Sequence, residues 1–330
     1  MKLSRIFVTG AGGFIGSHII RSLLNSNHEV LALLAPDEID FNLKGLSVKM
    51  IRGDIRDTTL LFTSLQQCDA VIHAAALNTF WYRPVKKFYE VNEQGTKCIC
   101  AAAKAARIKH FVFLSSCDVM GPAPDNNPRD ETSPLPQYIN GHAERSKAFA
   151  EAIVRDHIQQ GFPATIIRPT AVLGPNDIHG TPPGRLIRAF LKGKLPFYYD
   201  AGINMVDVRD VATAIVAALH QEPNGKIYLL GGHNLFISDL LQQLEKNTNI
   251  KKPLLRLPYF LASSASRAAE ILARATKRAP LATRTSVRLV KHHWFFDCIK
   301  AQTEIKLSPR PFEETVRESL LWHQHYLQSS

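Results

Sequence analysis

The chain has 330 residues, 45% hydrophobic and 21% charged, a balance that fits one large or two smaller folded domains and excludes a mainly disordered protein. Forty lysines and arginines against 29 acids give a net charge of +11, but residues 251–291 hold ten basic side chains and one acid, Glu270, so nine of those charges belong to one C-terminal segment. That distribution excludes a long basic track for nucleic acid.

The N-terminal residues Met1 to Arg5 run directly into apolar Ile6, with no signal-peptide core, so a cytoplasmic protein is expected. Short apolar runs at 6–9, 30–34, 48–51, 70–73, 111–115 and 164–168 read as strands, and helical spacing fills 15–24, 58–65, 85–106 and 144–159 between them. Near-continuous hydrophobic strands alternating with helices predict an α/β fold, a doubly wound parallel sheet covered on both faces. Proline- and glycine-rich loops at 121–136 and 174–184 follow strands, on the side where such sheets bind ligands. After about residue 175 the alternation loosens. A helix at 183–191, returns to the sheet near 205–216 and 226–230, and then mainly helical sequence predict a smaller lobe that is not cleanly separated. The expected division is 1–175 for the dinucleotide-binding part, with sheet returns near 205–232, and 176–330 for the substrate lobe. No apolar run reaches the roughly 20 residues needed to cross a bilayer. The five cysteines, at 68, 98, 100, 117 and 298, contain no Cys-x-x-Cys pair, so reduced thiols and no metal site are expected.

The first strand runs into Thr9-Gly10-Ala11-Gly12-Gly13-Phe14-Ile15-Gly16, with a helix directly behind it. Glycines at 10, 13 and 16 permit a tight turn, close approach of backbone N–H groups to a pyrophosphate, and close packing of helix on strand. The helix N-terminus adds partial positive charge. Between a first strand and a first helix, this spacing predicts dinucleotide binding. At the end of the third strand Asp54, in Gly53-Asp54-Ile55, is suited to accept a hydrogen bond from an adenine amino group. Small residues after His73, Ala74 to Ala76, leave room for a cofactor across the strand ends.

With these motifs in place the chain resembles the extended short-chain dehydrogenases/reductases, a Rossmann-fold group that includes sugar epimerases, dehydratases and dihydroflavonol-type reductases. The likeness runs through Thr9 to Gly16, Gly53-Asp54, His73-Ala74-Ala75, Val91-Asn92, Gly95-Thr96, Ser115-Ser116, Lys147, Arg168-Pro169-Thr170 and Phe296-Asp297-Cys298. Within the group, Thr181 to Arg185, Gly202 to Val208 and Trp294 to Ala301 look most like hopanoid-associated sugar epimerases and their reductase-like relatives. The resemblance implies NAD or NADP held by Thr9, Gly10, Gly13, Phe14, Ile15, Gly16, Asp54, Ile55, Ala74, Ala75, Lys147 and Pro169, a catalytic-type Ser116, and a homodimer. It also implies oxidoreductase or epimerase chemistry on a secondary alcohol or ketone of a sugar-, sterol- or lipid-like substrate.

One expected residue is missing. The family's proton chemistry uses Tyr-x-x-x-Lys on one helix face, where the ammonium lowers the phenol's pKa. Here the lysine is Lys147 and Ala143 stands four residues before it. Either another group takes over, or the protein binds a dinucleotide for a non-redox or regulatory purpose, or the tyrosine has been replaced in an inactivated variant. Asp118, two residues after Ser116, is the first candidate for a substitute, followed by Tyr138. His142 points about 100° away around the helix from position 143. The second strand continues as Ala35-Pro36-Asp37-Glu38, which leaves cofactor choice open; the absence of arginine leans towards NAD. Asn78, Trp81, Tyr82 and Arg185 are candidates to line a substrate site. In the basic segment, Arg267, Arg274 and Arg278 recur beside the apolar Phe260, Leu261, Ala268, Ile271, Leu272 and Ala275, a pattern open to a solvated face, an anionic substrate or a peripheral membrane contact.

Overall fold

The computed structural model describes residues 3–79, 82–122, 127–139, 141–257 and 291–329, with 259, 261, 264, 266, 267, 269 and 287 as isolated positions. The first strand, β1 (Arg5–Thr9), leads into α1 (Phe14–Asn25). There follow β2 (Glu29–Leu34), β3 (Lys49–Arg52), α2 (Thr58–Leu65), β4 (Ala70–His73), α3 (Lys86–Tyr89), a π-turn at Glu90–Gln94 and α4 (Gly95–Ala105). After β5 (His110–Leu114) a short 3-10 turn, Cys117–Met120, precedes the loop to α5 (His142–Gln159) and β6 (Ala164–Pro169). The later elements are β7 (Ala171–Leu173), α6 (Pro182–Leu191), β8 (Phe197–Tyr198), β9 (Gly202–Asp207), α7 (Val208–Leu219) and β10 (Ile227–Leu230). They continue with β11 (His233–Phe236), α8 (Ile237–Lys246), β12 (Leu255–Arg256), α9 (Ile299–Ile305) and α10 (Phe312–Ser329).

Seven strands form one sheet in the order β10-β6-β5-β4-β1-β2-β3, and every pairing in it is parallel. This is the doubly wound Rossmann arrangement predicted from the apolar runs. Strand alternation divides the core by face. Ile6 and Val8 join α1 and α7 side chains such as Ile19, Ile20, Val211 and Ile215 on one side. Phe7, with Val71, Phe111 and Phe113, packs against Leu61, Ile99, Ala150 and Val154 of α2, α4 and α5 on the other. A third cluster, including Leu173, Ile187, Phe190, Leu240, Leu244, Val316 and Leu320, holds the later elements together.

Of the expected returns to the sheet, only β10 joins it. Residues 202–207 form β9, the centre of a three-stranded sheet between β11 and β7, and 208–219 are the helix α7 against α1. Met205–Val206 and Val211–Val216 are both largely apolar, which is why composition alone does not separate the two placements. The helix predicted over 85–106 is interrupted at Glu90–Gln94, where the chain makes a π-turn. Its buried Asn92 side chain accepts from Leu77 N–H at 2.7 Å and donates to Leu77 O at 3.1 Å and Ser146 Oγ at 2.8 Å. Such turns let a side chain leave the regular helical row. The loop predicted to extend to 184 ends earlier, because the Thr181 hydroxyl caps α6 by accepting from Gly184 N–H.

Candidate functional site

The cradle at the end of β1 is built mainly from backbone. Gly10 has φ +65°, and a Cβ there would lie 2.7 Å from the Ala75 backbone; a Cβ on Gly16 would lie 2.0 Å from Gly10 O. Only glycine permits both approaches. Gly13 is the N-cap of α1 and lends no side-chain cap, and the first turn, with Phe14 and Ile15, carries no acid. The first N–H groups of α1 therefore remain available to an anion. Asn42 steadies the loop from outside, its amide donating to Gly12 O at 3.2 Å and Asn176 O at 3.1 Å.

Thr9 fixes the ends of β1 and β4 together. Ala75 N–H donates to Thr9 Oγ1 at 3.1 Å, and Thr9 Oγ1 lies 2.7 Å from His73 Nδ1. The other ring nitrogen, Nε2, lies 3.0 Å from Thr96 Oγ1, whose proton goes to Asn92 O at 2.6 Å. One proton order satisfies all of these contacts: Nε2–H donates to Thr96, and Nδ1 accepts from Thr9. Complete burial, with Lys147 nearby, pushes His73 down to about 3, consistent with this neutral ring. Ala74 N–H donates to Thr9 O at 3.2 Å.

At the end of β2 the acid that faces the cradle is Glu38. Pro36 and Asp37 occupy a turn closed by Glu38 N–H donating to Ala35 O, and Ala35 N–H donates back to Glu38 Oε2 at 2.9 Å. A Cβ on Gly12 would lie 2.7 Å from Glu38 Oε1. Burial raises this carboxyl above its usual range, although the Ala35 N–H bond and the charges of His179 and Arg52 oppose the shift. The sequence signal for Glu38 was the Pro-Asp turn, which returns the chain to the strand end. Asp54 at the end of β3 is gripped by Arg56 through two bonds, at 2.9 and 2.6 Å, and held down to about 2 chiefly by that guanidinium. Ile55 beside it is buried against Gly95.

Towards the middle of the sheet stands α5. Ala143 is buried at 8% exposure and Lys147 likewise at 8%. The Lys147 ammonium lies over the Phe113 ring, 4.6 Å from its centroid, and burial pulls it down to about 7, against the attraction of Glu151. Ser116 and Asp118 meet on the turn after β5: Ser116 Oγ donates to Asp118 Oδ2 at 2.9 Å and accepts Asp118 N–H at 3.2 Å. Burial raises the Asp118 carboxyl, with the Ser116 hydrogen bond opposing. Tyr138 does not reach this place, being 79% exposed. His142 is exposed, its Nδ1 3.1 Å from the Tyr89 hydroxyl.

Below the site Arg168, wholly buried, binds Glu151 at 3.0 and 2.6 Å, and Glu151 also accepts from Ser115 Oγ at 2.6 Å and Arg155 Nε at 2.8 Å. Burial alone would raise Glu151; these partners reverse it and hold the carboxyl below its usual range. The cluster ties α5 to β5 and β6, which fixes where Lys147 and Pro169, at the end of β6, stand. Asn78 and Arg185 are exposed, and Tyr82 packs edge-on against Phe88. Trp81, Phe260, Ala268, Ile271, Leu272, Arg274, Ala275 and Arg278 lie outside the described residues, while Arg267 and Leu261 are exposed. No helix among the described residues is long and apolar enough to cross a membrane, and no group of three or more His, Cys, Asp or Glu among them is suited to a metal ion.

A residue that sequence reasoning passed over lies beside Ala143. Glu144 is 7% exposed, its Oε1 makes no hydrogen bond, and burial, reinforced by the Asp118 charge, pushes it up to about 7. As the third residue of a helix it reads in sequence as an ordinary first-turn acid.

A backbone cradle open to an anion, small residues at the end of β4 and a buried lysine at the central strands suit a dinucleotide laid across the sheet edge. Residues 6–231 match the NAD dependent epimerase/dehydratase family, and the chain belongs to that family. It is 30% identical over 326 residues to a putative dihydroflavonol 4-reductase of Synechocystis sp., covering 97% of this chain and 94% of that one. It is 27% identical to sterol demethylase protein B of Methylococcus capsulatus, covering 96% and 97%. The crystal structure of gox2253 superposes with a TM-score of 0.87 at 30% identity, covering 98% of each chain.

Proposed function

We propose that the protein is an NAD(P)-dependent oxidoreductase or epimerase acting on a secondary alcohol or ketone of a sugar-, sterol- or lipid-like substrate. The observation that carries this reading is the meeting of the glycine cradle, buried Lys147 and the Ser116–Asp118 pair along one edge of a parallel sheet. Thr9, Gly10, Gly13, Phe14, Ile15 and Gly16 hold the pyrophosphate through backbone N–H groups and the α1 N-terminus. Asp54 and Ile55 meet adenine, Ala74 and Ala75 lie beneath the cofactor, Pro169 flanks the nicotinamide end, and Lys147 binds ribose hydroxyls. Glu38 supports NAD over NADP, because a carboxyl against Gly12 accepts from a free 2′-hydroxyl and repels a 2′-phosphate. Once bound, the dinucleotide supplies or removes hydride; the chain's own residues orient the substrate and move the proton. Ser116 hydrogen-bonds the substrate oxygen, and Asp118 is the acid or base at that oxygen in place of a phenol. Residues 1–175, with the later return of the chain to the sheet at β10, form the cofactor part and the remainder of 176–330 the substrate lobe of a cytoplasmic homodimer, whose basic segment meets an anionic or lipid-like compound or a membrane surface.

A second reading rests on Ala143, whose methyl group has no proton to give: a dinucleotide-binding protein with isomerase, lyase or regulatory duty. The test is calorimetric titration with NADH and NADPH, followed by single-turnover oxidation of bound NADH by a panel of ketones and nucleotide-sugar ketones, with Asp118→Asn and Ala143→Tyr beside the wild type. Binding of NADH with turnover that Asp118→Asn abolishes supports the first reading. Binding without turnover, even after Ala143→Tyr, favours the second, and no binding at millimolar dinucleotide overturns both.

A further inference from the structure

We propose that the paired strands β8 and β12 are a docking edge for an anionic lipid bilayer, with Phe197, Leu254 and Leu255 entering the acyl boundary while Lys192, Lys194, Lys251 and Lys252 meet lipid phosphates. The proposal rests on the contact read above for the basic segment and commits it to one partner.

The strand pairing brings two distant stretches of sequence together. Strand β12 runs parallel to β8, with Leu255 opposite Phe197 and Arg256 opposite Tyr198, and Leu257 N–H donates to Tyr198 O at 3.0 Å. Residues opposite one another in such a pair project to the same face, so Leu255 and Phe197 lie side by side. Both remain open to solvent, at 60% and 40% exposure, and Leu254 before them is 92% exposed. A single exposed leucine needs no explanation; two in succession beside an exposed phenylalanine make an apolar tip. Parallel pairing also puts the residues that lead into the two strands at one end. Lys192 and Lys194 precede β8, Lys251 and Lys252 precede β12, and Lys194 and Lys252 each stand three residues before the Phe197–Leu255 pair. Three residues of extended chain reach about 10 Å at most, which is about the depth to which an apolar surface enters the headgroup region. Leucines at the acyl boundary therefore leave these ammonium groups among the phosphates.

The charge on this edge has one sign. Residues 191–199 and 250–257 contain five cations and no acid, and of the five side chains only Arg256 meets a carboxylate among the described residues, Asp200 at 3.9 Å. The end of the basic segment returns to its beginning, where the Lys291 ammonium lies 5.8 Å from the centroid of the exposed Tyr259 ring. An isologous contact with a second copy would set these cations against their own equivalents, and a soluble polyanion has no use for exposed leucines. An anionic bilayer answers both halves of the edge. Attraction to its surface strengthens binding about five-fold for each lysine or arginine close to it, and apolar burial adds to that attraction. A sterol- or lipid-like substrate dissolves in the same layer, so docking brings the substrate lobe to it.

The test is co-sedimentation of the full chain with vesicles of phosphatidylcholine alone and of phosphatidylcholine with phosphatidylserine, at low and high salt, with NADH binding followed by fluorescence on the same samples. The wild type should bind the anionic vesicles, about ten-fold or more tighter than the neutral ones, and lose affinity as salt is added. Leu254→Ser combined with Leu255→Ser, at two exposed positions, should weaken binding to anionic vesicles about ten-fold. Lys194→Glu combined with Lys252→Glu should weaken it about a hundred-fold or more. No binding to anionic vesicles by a chain that binds NADH overturns the docking edge and leaves the oxidoreductase reading standing. Vesicle binding by a chain that does not bind NADH supports the edge and overturns that reading. Binding indifferent to the two leucines, as at a site for soluble polyanions, overturns the proposal. So does a dimer in sedimentation velocity that the leucine substitutions dissociate, because the edge then belongs to a second copy.

Discussion

Two helices, α1 and α5, begin at the same edge of the sheet, and their first turns are made of opposite materials. Both have a glycine N-cap without a side-chain bond, Gly13 in α1 and Gly141 in α5. In α1 no acid occupies the first turn, so its positive end is left for an anion from outside. In α5 that place is taken by the chain's own Glu144. A carboxyl at a helix N-terminus is favoured in its ionised form, yet Glu144 is pushed up to about 7; burial and Asp118 outweigh the helix. One turn is thus rigid, close-packed and indifferent to pH, and the other is a place where protonation is held in balance.

The largest effect should come from breaking the first turn. In Gly16→Ala the new Cβ meets the carbonyl oxygen of Gly10 at 2.0 Å, a backbone atom with no rotamer to yield. A cost of about 4 kcal/mol or more is expected, together with loss of NADH binding, read by chemical denaturation and calorimetry. A variant that binds NADH normally would show that the cradle is not where the pyrophosphate lies.

The start of α5 is probed by its pH dependence, and Glu144 in its first turn and Lys147 in the next have opposite slopes. Lys147 falls from 10.5 to about 7 on folding, so the unfolded chain binds more protons between those values and its burial costs stability as pH drops from 10.5 to 7. Lys147→Met should therefore stabilise the apo protein by about 4–5 kcal/mol at pH 7 and below, and not at all well above pH 10.5. Glu144 rises from 4.5 to about 7, so the folded chain binds more protons between these values and stability is lost as pH climbs from 4.5 to 7. Glu144→Gln should stabilise by about 3–4 kcal/mol at pH 8 and have little effect at pH 4.5. Urea denaturation at several pH values measures both; parallel slopes in the two variants would contradict these opposed titrations.

This contrast also explains what could be read in the sequence. The apolar runs 6–9, 70–73 and 164–168 each reappear as central strands because a strand buried on both faces must be apolar throughout. Gly10, Gly13 and Gly16 were legible for a similar reason, since their role depends on what glycine lacks. What Asn92 and Glu38 touch was not, because a π-turn in one case and a Pro-Asp turn in the other decide where their side chains go. Glu144 was hidden by its neighbour: the family pattern draws attention to position 143, and the next residue lies 100° around the helix. Only the burial of Glu144 shows that this direction leads into the protein. Tyr138 had the right chemistry, but its loop leaves it in solvent.

The smallest effect expected is the one that separates the two turns most cleanly. Thr9→Val keeps the shape of a buried side chain and removes one hydroxyl. Ala75 N–H then loses its acceptor and His73 Nδ1 its donor, at a cost of about 1–2 kcal/mol for the unpaired groups. His73 falls from 6.5 to about 3 on folding, so the unfolded chain binds the extra proton and stability rises with pH between those values. Above pH 6.5 the ring is neutral in both states. The loss in Thr9→Val should therefore be constant from pH 7 to 9, the range in which Lys147→Met changes steeply. Denaturation curves at pH 7, 8 and 9 give the answer. A sloping loss would mean that a proton is taken up or released in the Thr9–His73–Thr96 chain, and that the cradle side of the sheet shares the titrating character of α5.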